Sequence, residues 1–456
     1  MQDRTSPAER RRQGKALRKT APRASHAEWS PSADRADPVD LLAAQDADRL
    51  QWLVAIRHGR MAVSPFTFYR GAAKIMAADL VGTPTTGLSA QLCGDAHLSN
   101  FGSYAAPDRT QVFDVNDFDE TLPGPWEWDL KRLVASFIVA GRDRGFDDKD
   151  SRAAAAASVA GYRRGMARFA GDSTMDVWYS RLPVDSIRKA LPTKAGRKRA
   201  AKAQKKARSK DSLQASSKLT ELVDGRYRIK SDPPLLIPLR ELAADRDPEA
   251  IRHQVNESLT GYRNSLDPAH KHLLRRFDVI DMAMKVVGVG SVGTRCLIVL
   301  LEGKDHTDPL FLQIKEATAA VLEDHLPKSA YARHGRRVVE GQRLMQAASD
   351  IFLGWSEVKA GTHYYWRQLH DMKGSADVET MDARLMSTYA TLCGWTLAHA
   401  HARSGDALAI SGYLGAGEVF DQALTEFACR YADQNEADYR TFTQAIRDGR
   451  ITAESD

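Results

Sequence analysis

GDAHLSN at residues 94–100, followed by FDVNDFDE at residues 113–120, is the part of the sequence that decides the predicted fold. An Asp, an Asn five positions later and a further Asp soon after is the spacing of phosphoryl-transfer catalytic loops. In such a loop the first Asp accepts the proton of the attacking hydroxyl, while the Asn and the later Asp hold magnesium. These side chains supply the hard oxygen ligands that this chemistry needs.

The segments on either side of this pair of motifs read as regular structure. LSAQLC at 88–93 and TQVFDV at 110–115 are predicted strands that would hold the loop between them. WEWDLKRLVASFIVAGRDRG at 126–145 predicts a helix with Asp129 in its first turn. From 150 to about 275 the chain is Ala-rich and predicted helical, without a motif that indicates chemistry.

A second motif lies nearly two hundred residues further on, in VVGVGSVGTRCLIVLLEGKDHTDPLFLQIKEA at 286–317. A dinucleotide-binding turn should lead directly into a helix, whereas these glycines are followed by a β-branched strand. A glycine loop between two strands, with a Lys on the third, is the arrangement that covers ATP phosphates. We therefore expect the loop and the third strand to bind nucleotide through Gly288, Gly290, Ser291, Gly293 and Lys315.

The helix predicted next, KSAYARHGRRVVEGQRLMQ at 328–346, contains Glu340 as the expected ion partner of Lys315. IFLGWSEVKAG and THYYWRQLHD then read as two further strands, which would complete a five-stranded sheet and lead into a hinge at 369–373. A long helix follows in STYATLCGWTLAHAHARSG at 387–405.

Composition limits the class of protein. The chain has 456 residues, 43% of them hydrophobic, which is enough for two or three cooperating units. No apolar run approaches the roughly eighteen residues of a membrane span, and the basic N-terminus lacks a signal core, so we expect a cytoplasmic protein without membrane contact. The four widely spaced cysteines suggest neither a disulfide framework nor a zinc site.

The net charge of +6 is concentrated in one segment. Residues 188–210 contain eleven Lys or Arg and no acid, so the rest of the chain is net acidic. A helix that is basic on nearly every face suits contact with a polyanion, or a solvated insertion with no ligand. The second interpretation is favoured, because the segment has no residues for reading or stacking bases.

At this point the motifs resemble known families. GDAHLSN resembles the GDxHxxN loop of aminoglycoside phosphotransferases, and NDFDE at 116–120 resembles their metal-binding DWG or the DFG of protein kinases. Together with RMAVSPFTFYRGAA, WDLKR and GVGSVGTR, these motifs identify the chain as a member of a large bacterial family defined only as a domain of unknown function. That resemblance covers about residues 10 to 445, whereas the likeness to kinases is confined to short motifs.

The kinase resemblance implies roles for individual residues. Asp95 would be the catalytic base and Asn100 a metal ligand. Asp114 and Asp117 are both candidates for the second metal ligand, with Asp117 favoured because it begins the DFG-like triplet. Asp129 would brace the catalytic loop by accepting hydrogen bonds from its backbone amides. Two departures are that Cys93 stands where those enzymes have His, and that an Asp replaces the Gly of the triplet.

Motif order is the larger departure, because a kinase has its glycine loop and Lys before its catalytic loop. We therefore predict an α+β, bilobal, protein-kinase-like fold that is circularly permuted. The expected organisation is a basic, mobile segment at 1–40, a mainly helical lobe at 41–276, a β-rich nucleotide-binding lobe at 277–372, and helices at 373–456 that complete the helical lobe.

The expected function is ATP- and magnesium-dependent phosphoryl transfer to an unidentified small-molecule or protein acceptor. Nucleotide transfer, with ATP in a reversed pose, is a variant of the same chemistry. Two alternatives from other classes stay open: a metal-dependent phosphohydrolase that uses the Asp cluster, and a non-catalytic binder of nucleotides or polyanions.

Overall fold

The computed structural model describes residues 5–191, 193–210, 212–223, 225–242, 248–358, 361–369 and 371–454. Residues 1–4, 192 and 370, which belong to the predicted N-terminal segment, basic insertion and hinge, lie outside these ranges. The fold is mixed α+β, as the sequence predicts. Most strands come from two parts of the chain, and helices occupy much of the rest.

The helices up to residue 274 are α1 (Pro7–Ala16), α2 (Pro38–Asp46), α3 (Gln51–Met61), α4 (Pro65–Gly71), α5 (Ala73–Leu80), α6 (Trp126–Asp143), α7 (Asp148–Phe169), α8 (Thr174–Tyr179), α9 (Val184–Ala190), α10 (Lys194–Arg208), α11 (Ser212–Leu219), α12 (Leu239–Leu242), α13 (Pro248–Ser265) and α14 (Pro268–Leu274). The later helices are α15 (His334–Met345), α16 (Ala383–Ser404), α17 (Ala407–Leu414) and α18 (Val419–Arg447).

The strands are β1 (Ser89–Leu92), β2 (Phe101–Ala105), β3 (Gln111–Val115), β4 (Leu122–Pro125), β5 (Thr220–Val223), β6 (Arg226–Ile229), β7 (Leu236–Pro238), β8 (Asp278–Lys285), β9 (Cys296–Glu302), β10 (Pro309–Ala317), β11 (Gly354–Glu357), β12 (His363–Gln368) and β13 (Gly374–Ser375).

A six-stranded antiparallel sheet, which we call the small sheet, contains all the strands predicted around the glycine motif. Its strand order is β11-β12-β10-β9-β8-β7, so β10, which carries Lys315, lies between β9 and β12. The sequence predicts five strands here, and the sixth, β7, joins the edge from outside the predicted 277–372 range. Helix α15 packs against β10, β11 and β12. The glycine motif is the connection between β8 and β9.

The catalytic-loop region is folded differently from the prediction of two strands that hold one loop. β1 pairs with β4, while β2 lies between β3 and β13 in a separate three-stranded sheet. β2 was not predicted, because FGSYA directly follows the loop motif without a turn signal. The loop at residues 93–100 therefore connects the two-stranded sheet of β1 and β4 to the three-stranded sheet of β13, β2 and β3.

Long helices pack against the catalytic-loop region and share its apolar core. α6, α7, α16 and α18 pack together around a continuous apolar core. α6 and α16 form where the sequence predicts helices, and Asp382 caps α16 by accepting a hydrogen bond from the amide of Leu385. Close helix contact needs a glycine, since a β-carbon on Gly394 of α16 would lie 1.9 Å from the carbonyl oxygen of Ser158 in α7.

The N-terminal segment, which the sequence predicts to be mobile, is packed against the C-terminal helices where it is described. α1 lies on α17, and Arg18 donates hydrogen bonds to the carbonyls of Gly412 and Tyr413. His26 is fully buried and contacts the hydroxyl of Tyr413. Among the described residues, none of the helices combines the length and apolarity needed to cross a membrane.

Candidate active site

A cleft of about 320 Å³ lies where the catalytic-loop region meets the small sheet. Residues from both predicted motifs line it, although almost two hundred positions separate them in the sequence. They are Asp95, His97, Asn100, Asp117, Asp119 and Glu120 from the first motif region, and Gly288, Gly290 and Ser291 from the glycine motif. Helices α2, α4 and α5, with Asp48 and Arg49 after α2, supply a third wall, which the sequence did not predict.

The catalytic loop is fixed by its glycine and by Asp129. Gly94 has a positive φ of 84°, and a β-carbon there would lie 2.2 Å from the carbonyl oxygen of Glu120, so no other residue fits. The carboxylate of Asp129 accepts hydrogen bonds from the amides of Cys93 at 2.7 Å and Gly94 at 3.0 Å. The predicted bracing by Asp129 is therefore confirmed. His401 of α16 lies 3.3 Å from the same carboxylate.

Asp95, the predicted catalytic base, forms an ion pair with Arg132 of α6. The guanidinium reaches one carboxylate oxygen at 2.8 and 2.9 Å, and it also lies over the ring of Tyr69. Burial raises the pKa of Asp95, and the charge of Arg132 opposes that rise. His97 is buried, with its Nε2 atom 3.6 Å from the other oxygen of Asp95.

The structure separates the two candidates for the second metal ligand. Asp117 lines the cleft together with Asn100, whose side-chain nitrogen donates to the carbonyl of Asp95 at 2.9 Å. Asp114 does not line the cleft. It lies within β3, is 5% exposed, and accepts a hydrogen bond from the amide of Val115. Burial raises the pKa of Asp114 to about 7.

Lys315 does not itself line the cleft, but it joins the sheet to the DFG-like triplet, whose Asp117 and Asp119 do. Its ammonium lies 3.0 Å from the carboxylate of Asp119 and 3.9 Å from that of Asp117. Burial would lower the pKa of Lys315, but these two acids outweigh it and hold the pKa above its usual value. The hydroxyl of Tyr365 also donates to Asp119. The ion pair of Lys315 with Asp119 connects residues that are 196 positions apart in the chain.

The expected pairing of Lys315 with Glu340 is not present. Glu340 is on a partly exposed side of α15, 3.7 Å from Arg336, and it does not line the cleft. Arg337 connects α15 to the site instead. Its buried guanidinium donates to the carbonyls of Asp119, Thr121 and Thr318, which ties the helix to the triplet by backbone contacts. Neither motif contains Arg337, so no sequence pattern indicated this role.

The glycine motif is fastened to the N-terminal helices. The carbonyl of Gly293 accepts a hydrogen bond from the amide of Leu50 at 2.8 Å, and that of Gly288 accepts one from Arg60 at 2.7 Å. Val289 and Val292 are buried in apolar clusters with side chains of α2 to α5. This loop is therefore a fixed wall of the cleft.

Arg70 is a cation of the cleft for which the sequence allows two roles, contact with phosphate or pairing with an acid. It lies in the last turn of α4 and lines the cleft together with Asp95, and its buried Nε atom has no hydrogen-bond partner in the described part of the chain. Burial lowers the pKa of Arg70, and the charge of the Asp95 carboxylate opposes that shift. An arginine in this position can bind an anionic group of a ligand by donating hydrogen bonds to it.

The acidic side chains of the cleft do not form an all-protein metal cage. Within the described ranges, no group of three or more His, Cys, Asp and Glu side chains is arranged to hold a metal ion. Asn100 and Asp117 line the same cleft, and magnesium commonly takes one or two protein oxygens and completes its shell with water and phosphate. The residues present thus fit magnesium bound together with a phosphate ligand.

Comparison with known proteins gives one match. The family model described as "Uncharacterized protein conserved in bacteria (DUF2252)" matches residues 49–445. No curated protein and no solved structure matches the chain. Both motifs and helices α3 to α17 lie within the matched range, whereas Ala44, Gln45 and Asp48 of the cleft precede it. The chain therefore belongs to the DUF2252 family of uncharacterized bacterial proteins.

Proposed function

We propose that this protein is an ATP- and magnesium-dependent phosphotransferase with a circularly permuted, kinase-like arrangement of lobes. One observation carries the proposal: a single cleft is lined by the catalytic-loop motif and by the glycine motif, with Lys315 paired to Asp119 between them. A hydrolase would have no need of the glycine loop or of Lys315.

The arrangement of the small sheet supports permutation. The glycine motif connects the first two of its consecutive strands, β8 and β9, Lys315 lies on the next strand, and α15 follows before β11 and β12. That is the order of parts around an ATP site in protein kinases. The catalytic loop precedes this unit in the sequence but shares its cleft. Since α16 packs against α6 and α7, the C-terminal helices join the N-terminal part in one core.

Each part of the cleft has a place in phosphoryl transfer. Asn100 and Asp117 would hold magnesium, which neutralises charge on the phosphates. Lys315 and Arg70 would bind phosphate oxygens, and the backbone of the glycine motif would allow close approach. Asp95 would orient and accept the proton of the acceptor hydroxyl or amine, with Arg132 fixing the direction of its carboxylate.

The alternatives receive less support. An Asp-cluster phosphohydrolase would use Asp114 with Asp95, Asp117 and Asp119, but Asp114 is in the strand interior and outside the cleft. No observation in the described part of the chain favours a pure polyanion binder. Transfer of a nucleotide instead of a phosphate uses the same ligands, and the identity of the transferred group decides between these two reactions.

Calorimetric titration with ATP and magnesium tests the proposal. Asp117→Asn and Lys315→Met are each expected to weaken binding by tenfold or more. Two matched controls, Asp114→Asn and Glu340→Gln, change an equivalent group outside the cleft and are expected to bind within about twofold of wild type. Equal affinities for all five proteins would contradict the proposal.

Labelled ATP then identifies the reaction. Transfer of the γ-phosphoryl label to an acceptor, lost in Asp95→Asn, is the expected result. If the acceptor is labelled by α-labelled ATP and not by γ-labelled ATP, the reaction is nucleotide transfer. Release of phosphate from simple phosphate esters without ATP would indicate the hydrolase.

A further inference from the structure

The face of the small sheet that carries Lys315 continues as an apolar surface. Side chains alternate along a strand, so Phe311, Gln313 and Lys315 of β10 share one face. Their partners on β9 include Leu300 opposite Phe311 and Ile298 opposite Gln313. Leu369, which follows β12, belongs to the same apolar cluster. The polar end of this face is at Lys315 and the apolar end is at Phe311.

This apolar end is where the base of a nucleotide would lie, if Lys315 holds its phosphates. Phe311 is four residues from Lys315, or about 13 Å at the usual rise of a strand. That is comparable with the reach of an extended nucleotide from its inner phosphates to its base. A base needs a flat apolar surface and a backbone group at its edge, and the amide of Met372, shortly after Leu369, is such a group.

A segment of the chain itself covers this surface. We call the end of α10 with the two residues that follow it (207–210), together with α11 (Ser212–Leu219), the α10–α11 plug. α11 contacts β10, and its Ala215 is 3% exposed within the cluster of Ile298, Leu300, Phe311 and Leu369. Leu219 packs against the same cluster.

The plug also occupies one backbone group beside the surface. The amide of Met372 donates a hydrogen bond to the carbonyl of Lys210 at 2.9 Å. The carbonyl of Met372 is bound outside the plug, since it accepts a hydrogen bond from the side chain of Gln111 of β3 at 3.0 Å. Ala207 lies against Gly374, where a β-carbon would be 3.1 Å from that of Ala207. The plug thus makes the apolar contact and the edge hydrogen bond that a base would make.

We infer that the α10–α11 plug is an autoinhibitory element that competes with the base of the nucleotide for the surface formed by Ile298, Leu300, Phe311 and Leu369. This inference rests on the proposed function. It gives the basic insertion a role that its charge pattern did not predict: the highly charged part of α10 stays in solvent, while its apolar continuation covers this surface. The nucleotide binds only in molecules whose plug has left the sheet.

Ala215→Arg tests the inference, because a long cation at a buried position displaces α11. Leu213→Arg is the matched control, since Leu213 is on the same helix and 57% exposed. If the plug is released in about one wild-type molecule in ten, Ala215→Arg should bind ATP about tenfold more tightly, because apparent affinity scales with the competent fraction. Leu213→Arg should bind as wild type does, and adding Lys315→Met should remove the gain.

The outcomes separate the inference from the proposed function. Equal, measurable ATP binding by wild type and a folded Ala215→Arg variant overturns the plug and leaves the proposed function standing. Absence of binding in both proteins, with circular dichroism confirming their fold, overturns both.

Hydrogen exchange on the wild-type protein provides a test that does not depend on a variant folding. With magnesium and a concentration of ATP that saturates the site, the amides of α11 should lose protection, while those of α16 keep theirs. Unchanged protection of α11 in the ATP-bound protein overturns the inference.

Discussion

Replacing Lys315 with Met removes the cation that lies between two carboxylates. The ammonium is 5% exposed and lies 3.0 Å from Asp119 and 3.9 Å from Asp117. Methionine keeps the length and much of the volume of the side chain, so the change is mainly electrostatic. The two acids then face each other, with Arg367 as a further cation that influences both of them.

The size of the effect follows from burial. Removing one partner of a buried ion pair costs about 3 to 5 kcal/mol when the other charge stays buried. The carboxylates of Asp117 and Asp119 are 33% and 30% exposed, so water screens part of the repulsion. We therefore expect Lys315→Met to reduce the free energy of unfolding by about 1 to 3 kcal/mol.

A double-mutant cycle with Asp119→Asn isolates the pair. The double variant should lose about 1 to 2 kcal/mol less than the sum of the single variants. Urea-induced unfolding followed by circular dichroism measures these differences. Lys304→Met, which changes a lysine of the same lobe that is 86% exposed, is the control and should stay within about 0.5 kcal/mol of wild type. Additive single effects would refute the contact between the triplet and β10.

Three further variants test the structure around the site. Asp129→Asn loses a charged acceptor for the amides of Cys93 and Gly94, so the free energy of unfolding measured in urea should fall by about 2 to 4 kcal/mol, and an unchanged value would contradict the brace. Gly394→Ala should lower the free energy of unfolding by at least about 2 kcal/mol, and with it the melting temperature, because α7 and α16 must separate. Gly417→Ala, with open space around it, should leave both unchanged, and similar melting temperatures for the two variants would argue against that packing. The folded-state pKa of Asp114, about 7, exceeds its unfolded value, so its contribution to stability is complete below about pH 4 and is lost as pH rises through 7. Asp114→Asn, which does not titrate, should therefore gain on wild type by at most about 1.4 kcal/mol per pH unit over that interval in urea titrations, and a pH-independent difference would show that Asp114 is not held protonated.

Much of the fold was predictable because its signals are local. The apolar periodicity of 126–145 and 387–405 predicted α6 and α16, and the β-branched runs around the glycines predicted β9 and β10. The brace by Asp129 followed from the resemblance of the loop motif to kinases. β2, β4, β5, β6, β7 and β13 were not predicted, because short strands acquire their identity from the strands with which they pair. Three of them, β5 to β7, lie in the segment 150–275 that was predicted to be helical, and that prediction was wrong there.

The sequence by itself determined which residue types could carry chemistry: the carboxylates, the amide and the glycines of two motifs. Tertiary structure alone decided which of them meet. Asp117 faces the cleft while Asp114, three residues earlier, points into the strand interior, and Lys315 pairs with Asp119 where Glu340 was expected. The burial of α11 over the Lys315 face was equally invisible. Local patterns specify the period of an element, but the direction of a side chain and its distant neighbours depend on how elements pack.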